Sequence, residues 1–340
     1  MSANIAAVRL IRQVVTNRLP PTCVFGHPTL TTDQGLFYDT DCMDLFRCIK
    51  DEVIDCVFAD PPFNLGKDYG NGTARDSLDT DSYLKWSYAW IEECVRVLKP
   101  GGAIFVYILP QWGYHFAKYL DDSGMTFRHW IALSMKGTFP RGRKLYPAHY
   151  GLLYFTKGVP RTFNRVRVPV PQCRHCKQDI KDYGGHRKYL NPLGLNLTDF
   201  WEDTAPARHR KFKSRWHINE LKPMIPSRCF RIATDPGDIV LDPFGGGGSS
   251  YEAAQELGRF WVGSEIATGA AIVWRLQERF PLECGKPPGP RLFEIFARET
   301  NADHHRRDGV RRSPGANRKA GPSAAPRRSP KGRNKLPIAR

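Results

Sequence analysis

Two buried apolar runs each end abruptly in a turn, and together they constrain the fold of this 340-residue chain more than anything else in it. Residues 53–59 run straight into Asp60-Pro61-Pro62-Phe63. About 180 residues later, 238–242 opens onto Pro243-Phe244 and four glycines, 245–248. A glycine run between a strand and a helix lets the backbone turn sharply, admits a ligand to contact distance, and leaves helix N–H groups to face it. Consecutive prolines do the opposite. They fix φ at about −65° and remove donors, so the neighbouring carbonyls point in set directions.

The rest of the sequence supplies strands and helices in alternation. Apolar patterning predicts strands over 36–39, 53–59, 103–108, 128–134, 149–156, 238–242 and 261–265, and helices over 43–49, 82–97, 249–257 and 268–279. The second helix carries Tyr83, Trp86, Trp90, Ile91, Cys94 and Val97 on one face, and Lys99-Pro100-Gly101-Gly102 stops it. Seven strands interleaved with helices imply an α/β fold with a doubly wound, Rossmann-like sheet. Ligands of such sheets bind beyond the carboxyl ends of the strands, where the strand order reverses. Asp60 and Gly246 each lie just past such an end. They can cooperate only if their two strands are neighbours.

Composition limits the function classes. The longest apolar run, 103–109, falls far short of the roughly 20 residues a membrane span needs. Nine cysteines, an odd number, point to reduced thiols and a cytoplasmic location. A net charge of +17 favours a polyanionic partner. Residues 301–340 hold twelve Lys/Arg against two Asp and repeat Arg-Arg-Ser-Pro at 311–314 and 327–330, which leaves +7 for the first 300 residues. With almost no large apolar side chains, this tail is expected to be disordered. It reads equally as a sequence-blind arm on nucleic-acid phosphates and as a solubilising tail. Residues 1–30 place Ile5, Val8, Ile11 and Val15 at helical spacing among arginines, with no acid before Asp33. That suits a packing helix, and it also has the look of an organelle transit peptide.

The glycine loop fails the G-x-G-x-x-G pattern of dinucleotide sites, because Tyr251 stands where the last glycine would be. Phe244-x-Gly246-x-Gly248, led in by Asp242-Pro243, instead resembles the cofactor motif of S-adenosyl-L-methionine methyltransferases. With Asp60-Pro61-Pro62-Phe63 ahead of it, the chain resembles the permuted (β-type) arm of the DNA adenine and cytosine amino-methyltransferases. The resemblance implies a circularly permuted seven-stranded methyltransferase sheet with an inserted target-recognition region. It divides the chain into an arm (1–30), a catalytic half (31–159), the recognition insert (160–217), a cofactor half (218–300) and the basic tail (301–340).

The resemblance also implies site roles. Asp242, Phe244, Gly246, Gly248 and Ser249 would surround the cofactor. Glu265, at a strand end, would accept its ribose hydroxyls and Ile266 would pack on its adenine. The segment from Lys222 would close over its methionine end. Asp41 would contact the adenine amine, though an Asp before a helix is equally a cap. Gly247 and Ser249-Ser250 depart from the family's usual Ser and Thr-Thr.

At the other loop, the Asp60 carboxylate and the Pro61 carbonyl would each accept one hydrogen of an exocyclic amine, drawing its lone pair out of ring conjugation. Pro62 would fix the turn and Phe63 would stack on a base flipped out of double-stranded DNA. Asp rather than Ser at position 60 resembles the adenine-modifying members, so N6 of adenine is the expected target. N4 of cytosine, or a catalytically silent DNA-binding protein of the same fold, are the alternatives. A dimer is compatible with all three.

Residues 160–217 break the strand–helix rhythm. Arg161, Arg165, Arg167, Tyr183, Trp201 and a basic stretch over 208–215 suit contact with phosphates and base edges, or a loop covering the sheet. Cys173-x-x-Cys176 is half of a zinc site. His186 and His209, the nearest completers, match no standard spacing, so two buried structural thiols are the expected reading and zinc is the lesser alternative.

Overall fold

The computed structural model describes residues 27–66, 77–135, 143, 145, 148–170, 172, 184–204, 221–286 and 290–296. In chain order the strands are β1 (Leu30–Thr31), β2 (Gly35–Tyr38), β3 (Ile54–Ala59), β4 (Leu98–Ile108), β5 (Thr126–Ser134), β6 (His149–Thr156), β7 (Arg167–Val168), β8 (Leu195–Asn196), β9 (Phe200–Trp201), β10 (Ile239–Asp242) and β11 (Phe260–Ser264). The helices are α1 (Cys42–Cys48), α2 (Thr80–Val97), α3 (Pro110–Asp122), α4 (Met224–Ala233), α5 (Ser249–Glu256), α6 (Gly269–Arg279) and α7 (Pro290–Phe293).

Nine strands form one sheet in the order β1-β2-β11-β10-β3-β4-β6-β5-β9, and β7 and β8 form a separate ribbon. From β2 to β4 every pairing is parallel. Every residue of β3 and β10 is buried, which is why both read as mainly apolar runs, broken by Asp55 in one and closed by Asp242 in the other, rather than as alternating ones. The path β3-α2-β4 steps to one side and β10-α5-β11 to the other. Right-handed crossovers then put α2 and α5 on opposite faces. Packing agrees with this: α1 lies on α2 and α2 on α3, while α4 lies on α5 and α5 on α6. The order therefore reverses between β10 and β3, the place at which sheets of this kind hold a ligand crevice at their carboxyl ends.

All seven expected strands are present in the sheet. Two more, β1 and β9, extend its edges, and at two residues each they carry no readable periodicity. Helix α2 ends at Val97, as expected, but Lys99-Pro100-Gly101-Gly102 already belongs to β4, which was expected to begin only at 103. Ile54 pairs with Leu98 and Cys56 with Ala103, so the extra residues form a bulge, with Gly101 at φ +78°. Helix α3 was not anticipated. Pro110 begins it, a position where a missing N–H costs nothing, and Phe116 and Leu120 bury its inner face.

Below the crevice, the ring of Tyr251 stacks on Trp261 with centroids 4.8 Å apart. Its hydroxyl reaches the carbonyls of Asp242 (3.0 Å) and Ser264 (3.2 Å). A Cβ at Gly263 would sit 2.1 Å from that hydroxyl, and one at Gly35 would sit 1.8 Å from the Trp261 ring. The aromatic pair thus lies flat on the sheet only because these two positions lack side chains.

Two side chains that the sequence offers for nucleic-acid contact are structural. Arg161 pairs with Asp238 and lies 3.3 Å from Asp55, whose carboxylate also takes Lys99 Nζ at 2.8 Å and the Ile239 N–H at 2.9 Å. This cluster ties the amino ends of β3 and β10 together, at the far end of the sheet from the crevice. Trp201 is buried, donates to the Thr198 carbonyl at 2.7 Å, and lies under the Arg228 guanidinium. Arg167 donates to the Gly194 carbonyl within the β7–β8 ribbon, and Arg165 is exposed. The basic stretch 208–215, Tyr183 and the tail 301–340 lie outside the described residues.

Replacing Gly263 by Ala is expected to lower stability by about 1–3 kcal/mol, because Tyr251 is too tightly packed and bonded to yield. The urea midpoint should fall at unchanged slope; an unmoved midpoint would mean that the stack has room.

Candidate active site

The glycine loop begins at Asp242, whose carboxylate accepts from the Phe244 N–H at 2.9 Å and from the Ser250 hydroxyl. Burial pushes this carboxyl up to about 7; the two hydrogen bonds oppose the rise and the charge of Glu265 adds to it. Gly246 (φ +52°) and Gly248 (φ +78°) are left-handed, and Gly248 precedes the first residue of α5, the buried Ser249. Gly245 donates to the Ser264 carbonyl at 2.9 Å and Gly248 to the Gly245 carbonyl at 2.7 Å.

Glu265 fastens this loop from the next strand end. One carboxylate oxygen accepts the Gly246 N–H at 2.9 Å, and the other accepts those of Ile266 (2.9 Å) and Ala267 (2.8 Å). Thr268, which the sequence did not single out, donates to the Gly246 carbonyl. Three of the roughly four acceptor sites of Glu265 are therefore taken. It can receive one further hydroxyl as it stands, and a second only by releasing a backbone N–H. Ile266 is 41% exposed beside it.

The second loop starts one strand over. Val240 pairs with Cys56 and Leu241 with Val57, so the two strands run side by side toward the carboxyl ends from which the two loops leave. Parallel neighbours lie about 4.8 Å apart, which puts the two loops side by side. The Phe244 ring packs edge-on against Trp90 (5.1 Å) and Trp86 (5.9 Å). Helices α2 and α3 hold the proline turn: Tyr83 donates to the Pro62 carbonyl at 2.7 Å and Trp112 to the Phe63 carbonyl at 2.9 Å. Among the described residues no hydrogen bond reaches the Pro61 carbonyl. Asn64 (φ +56°) then forms a two-bond clamp with the backbone of Leu78, both bonds 2.8 Å. Phe63 is buried, with Tyr107 and Tyr150 against its ring.

The remaining expected residues divide. Asp41 caps α1, its Oδ1 accepting the Met43 N–H at 2.9 Å. Lys222, ahead of α4, reaches the Asp203 carbonyl at 3.3 Å. Cys173 and Cys176 lie outside the described residues, and among the described ones no group of three His, Cys, Asp or Glu is placed to hold a metal. Sequence reasoning missed Tyr83 and Trp112 as supports of the turn, and it also missed Tyr107 and Tyr150. Tyr83 was visible only as part of the apolar face of its helix, and nothing in the sequence sets the other three apart from ordinary packing aromatics.

Comparison with known proteins fits this arrangement. Residues 54–271 match the family model for N6/N4 DNA methylases. The type II methyltransferase M.BamHI of Bacillus amyloliquefaciens is 45% identical over 253 residues, which are 74% of this chain and 59% of that enzyme. The type II methyltransferase M.HpaI of Haemophilus parainfluenzae is 34% identical over 66% of this chain and 69% of its own length. Among solved structures, the cytosine-N4-specific PvuII DNA methyltransferase superposes with a TM-score of 0.55 at 19% identity, covering 75% of this chain and 90% of that one. TTHA0409 of Thermus thermophilus, solved in complex with S-adenosyl-L-methionine, gives 0.50 at 16% identity over 73% of this chain and 95% of that one. At such identities the likeness concerns the fold alone.

Two outcomes are expected of the loop. Glu265→Ala should lower the thermal midpoint of the ligand-free protein, by about 1–2 kcal/mol of stability, because three backbone N–H groups lose their acceptor. An unchanged midpoint would reduce Glu265 to a ligand contact. Asp242 binds its proton more tightly folded than unfolded, so its contribution to stability falls as pH rises from about 4 through about 7. Asp242→Asn should remove that fall from the stability–pH curve; an identical curve would contradict the burial argument.

Proposed function

The chain belongs to the N6/N4 DNA methylase family, and from that membership we propose that it transfers a methyl group from S-adenosyl-L-methionine to the exocyclic amine of a base flipped out of double-stranded DNA. The adjacency of β3 and β10 supports this reading most strongly, because it puts an amine-gripping turn beside a loop built for close approach of a ligand. The order of the two loops in the chain, with β10 and β11 inserted between β2 and β3, supports the permuted (β-type) assignment.

When bound, S-adenosyl-L-methionine supplies an electrophilic methyl on a sulfonium centre. The left-handed glycines 246 and 248, with Phe244, Asp242 and Ser249, cradle it. Glu265 takes a ribose hydroxyl, Ile266 offers an apolar face to the adenine, and Asp41 and Lys222 border the site. The protein's own work falls on the proline turn. The Asp60 carboxylate and the Pro61 carbonyl each accept one amine hydrogen and turn the lone pair out of the ring. The carbonyls of Pro62 and Phe63 are already bonded to α2 and α3, so the turn is rigid before substrate arrives. Preorganised acceptors of this kind contribute on the order of a few kcal/mol.

N6 of adenine is the proposed target, on the resemblance carried by Asp60. The recognition insert (160–217) retains the exposed Arg165, Phe163, Tyr189 and Leu193 for DNA, with Arg161 and Trp201 assigned to the scaffold. We assign the reaction to the cytoplasm on the odd number of cysteines, which suits reduced thiols.

Incubation with labelled S-adenosyl-L-methionine and plasmid DNA, followed by nucleoside analysis, is expected to place label in N6-methyladenine. Label in N4-methylcytosine would move the target base, and no label in DNA would contradict the function. Asp60→Ala should reduce transfer by about 100-fold or more while cofactor binding persists. An active variant would remove Asp60 from the mechanism.

A further inference from the structure

The two ends of the recognition insert are tied to the two ends of helix α4. At its start, the Thr162 hydroxyl and the Asn164 amide donate to the Asp235 carboxylate at 3.1 and 3.0 Å. The Asn164 N–H donates to the Ile232 carbonyl at 2.8 Å. Near its finish, the Arg228 guanidinium donates one hydrogen bond to each oxygen of the Asp203 carboxylate, the first at 2.8 Å. The same guanidinium lies 5.2 Å over the centre of the buried Trp201 ring, and Lys222 Nζ reaches the Asp203 carbonyl at 3.3 Å.

This second tie stands at the crevice end of the sheet. Phe200 of β9 pairs with Ala132, which lies in one row with Gly151 and Ile108, the last residue of β4. Helix α4 leads through 234–238 into the amino end of β10, so its own amino end, with Lys222 and Arg228, is directed toward the carboxyl ends of the strands. The chain leaves the tie after Thr204 and returns to it at Lys222, so the basic stretch 208–215 is anchored on both sides at one place.

Folding stability does not account for the pair. The Asp203 side chain is 55% exposed, and an ion pair this open to water contributes little. What a two-pronged bond adds over a point contact is direction: the planar guanidinium matches one carboxylate orientation, and stacking on Trp201 fixes its plane. Hydrogen bonding to Arg228 holds the Asp203 carboxyl below the usual carboxylate range, so both partners keep their charges at neutral pH. Nor is Arg228 arranged as a phosphate contact, because its charge is already matched by an acid that would repel phosphate.

We propose that Arg228 and Asp203 are positioning residues for DNA recognition, their two-pronged bond holding the finish of the insert in the pose that receives DNA, so that binding does not have to order it. This rests on the reading of the chain as a DNA methyltransferase that recognises its target through 160–217.

The test uses the full chain, labelled S-adenosyl-L-methionine and plasmid DNA, with Arg228→Gln, Asp203→Asn and the double variant. Each single change is expected to raise KM for DNA by roughly 5- to 10-fold, the scale of losing charge-assisted hydrogen bonds, and the double variant should be no worse than either. The kcat at saturating DNA, the cofactor Kd and the thermal midpoint should stay as in the wild type. Asp203→Asn is the sharpest arm. It removes a negative charge, so electrostatics alone would tighten DNA binding, whereas loss of the tie weakens it. An Asp203→Asn protein with an unchanged or lower KM overturns the proposal, as do additive effects in the double variant or a rise in KM matched by a fall in thermal midpoint. If Arg228→Gln fails to fold, Asp203→Asn, at an exposed side chain, decides alone. A wild-type protein that labels no DNA defeats the methyl-transfer reading and this inference together, whereas an active wild type with an unaltered Asp203→Asn variant defeats this inference alone.

Discussion

The parallel pairing of β3 with β10 is the constraint on which the rest depends. These strands come from opposite ends of the sequence, yet Val240 and Leu241 lie beside Cys56 and Val57 in the middle of the sheet. Both are buried on both faces, so the pairing removes a large apolar surface from water. The Asp55 cluster locks the same pair at its other end, with Lys99, Arg161 and the Ile239 N–H on one buried carboxylate. A buried carboxylate with several partners fixes register as well as proximity. One residue of slip would turn every side chain of a strand to the wrong face.

Above that pairing, the two loops are made rigid by different means. The glycine loop has no side chains of its own to hold it, so the neighbouring strand supplies the bonds through Glu265 and Thr268. The proline turn has few backbone donors, so it is held through its carbonyls by an aromatic hydroxyl and an indole from two helices. The dual position of Glu265 also has a consequence for binding: a ligand that competes for its carboxylate loosens the Gly246 N–H, so loop and ligand are coupled through one side chain.

Much of the sheet was legible in the sequence because buried parallel strands announce themselves as short apolar runs ending in turn residues. The two-residue edge strands β1 and β9 are too short to carry a period. The bulge in β4 was hidden because Pro100 and the glycines signal a break equally well whether the chain leaves the sheet or kinks within it. The candidate site was legible in its backbone elements, Asp60 to Phe63 and the glycines, since those positions have few chemical alternatives. Its supports were not. Tyr83, Trp112, Tyr107 and Tyr150 lie 20 or more residues from Phe63, and only the folded sheet and helices bring them to the turn. Arg161 and Trp201 show the converse, since an arginine or tryptophan in a basic stretch looks the same whether it faces solvent or a buried carboxylate.

The most direct test of the central claim is a crystal structure of this chain with S-adenosyl-L-homocysteine. If β3 and β10 create one pocket, the ligand lies along the glycine loop with its sulfur toward Phe244 and within reach of the Asp60–Pro61 turn. A ligand bound with its sulfur directed away from Asp60, or outside the crevice between the two strands, would contradict the account.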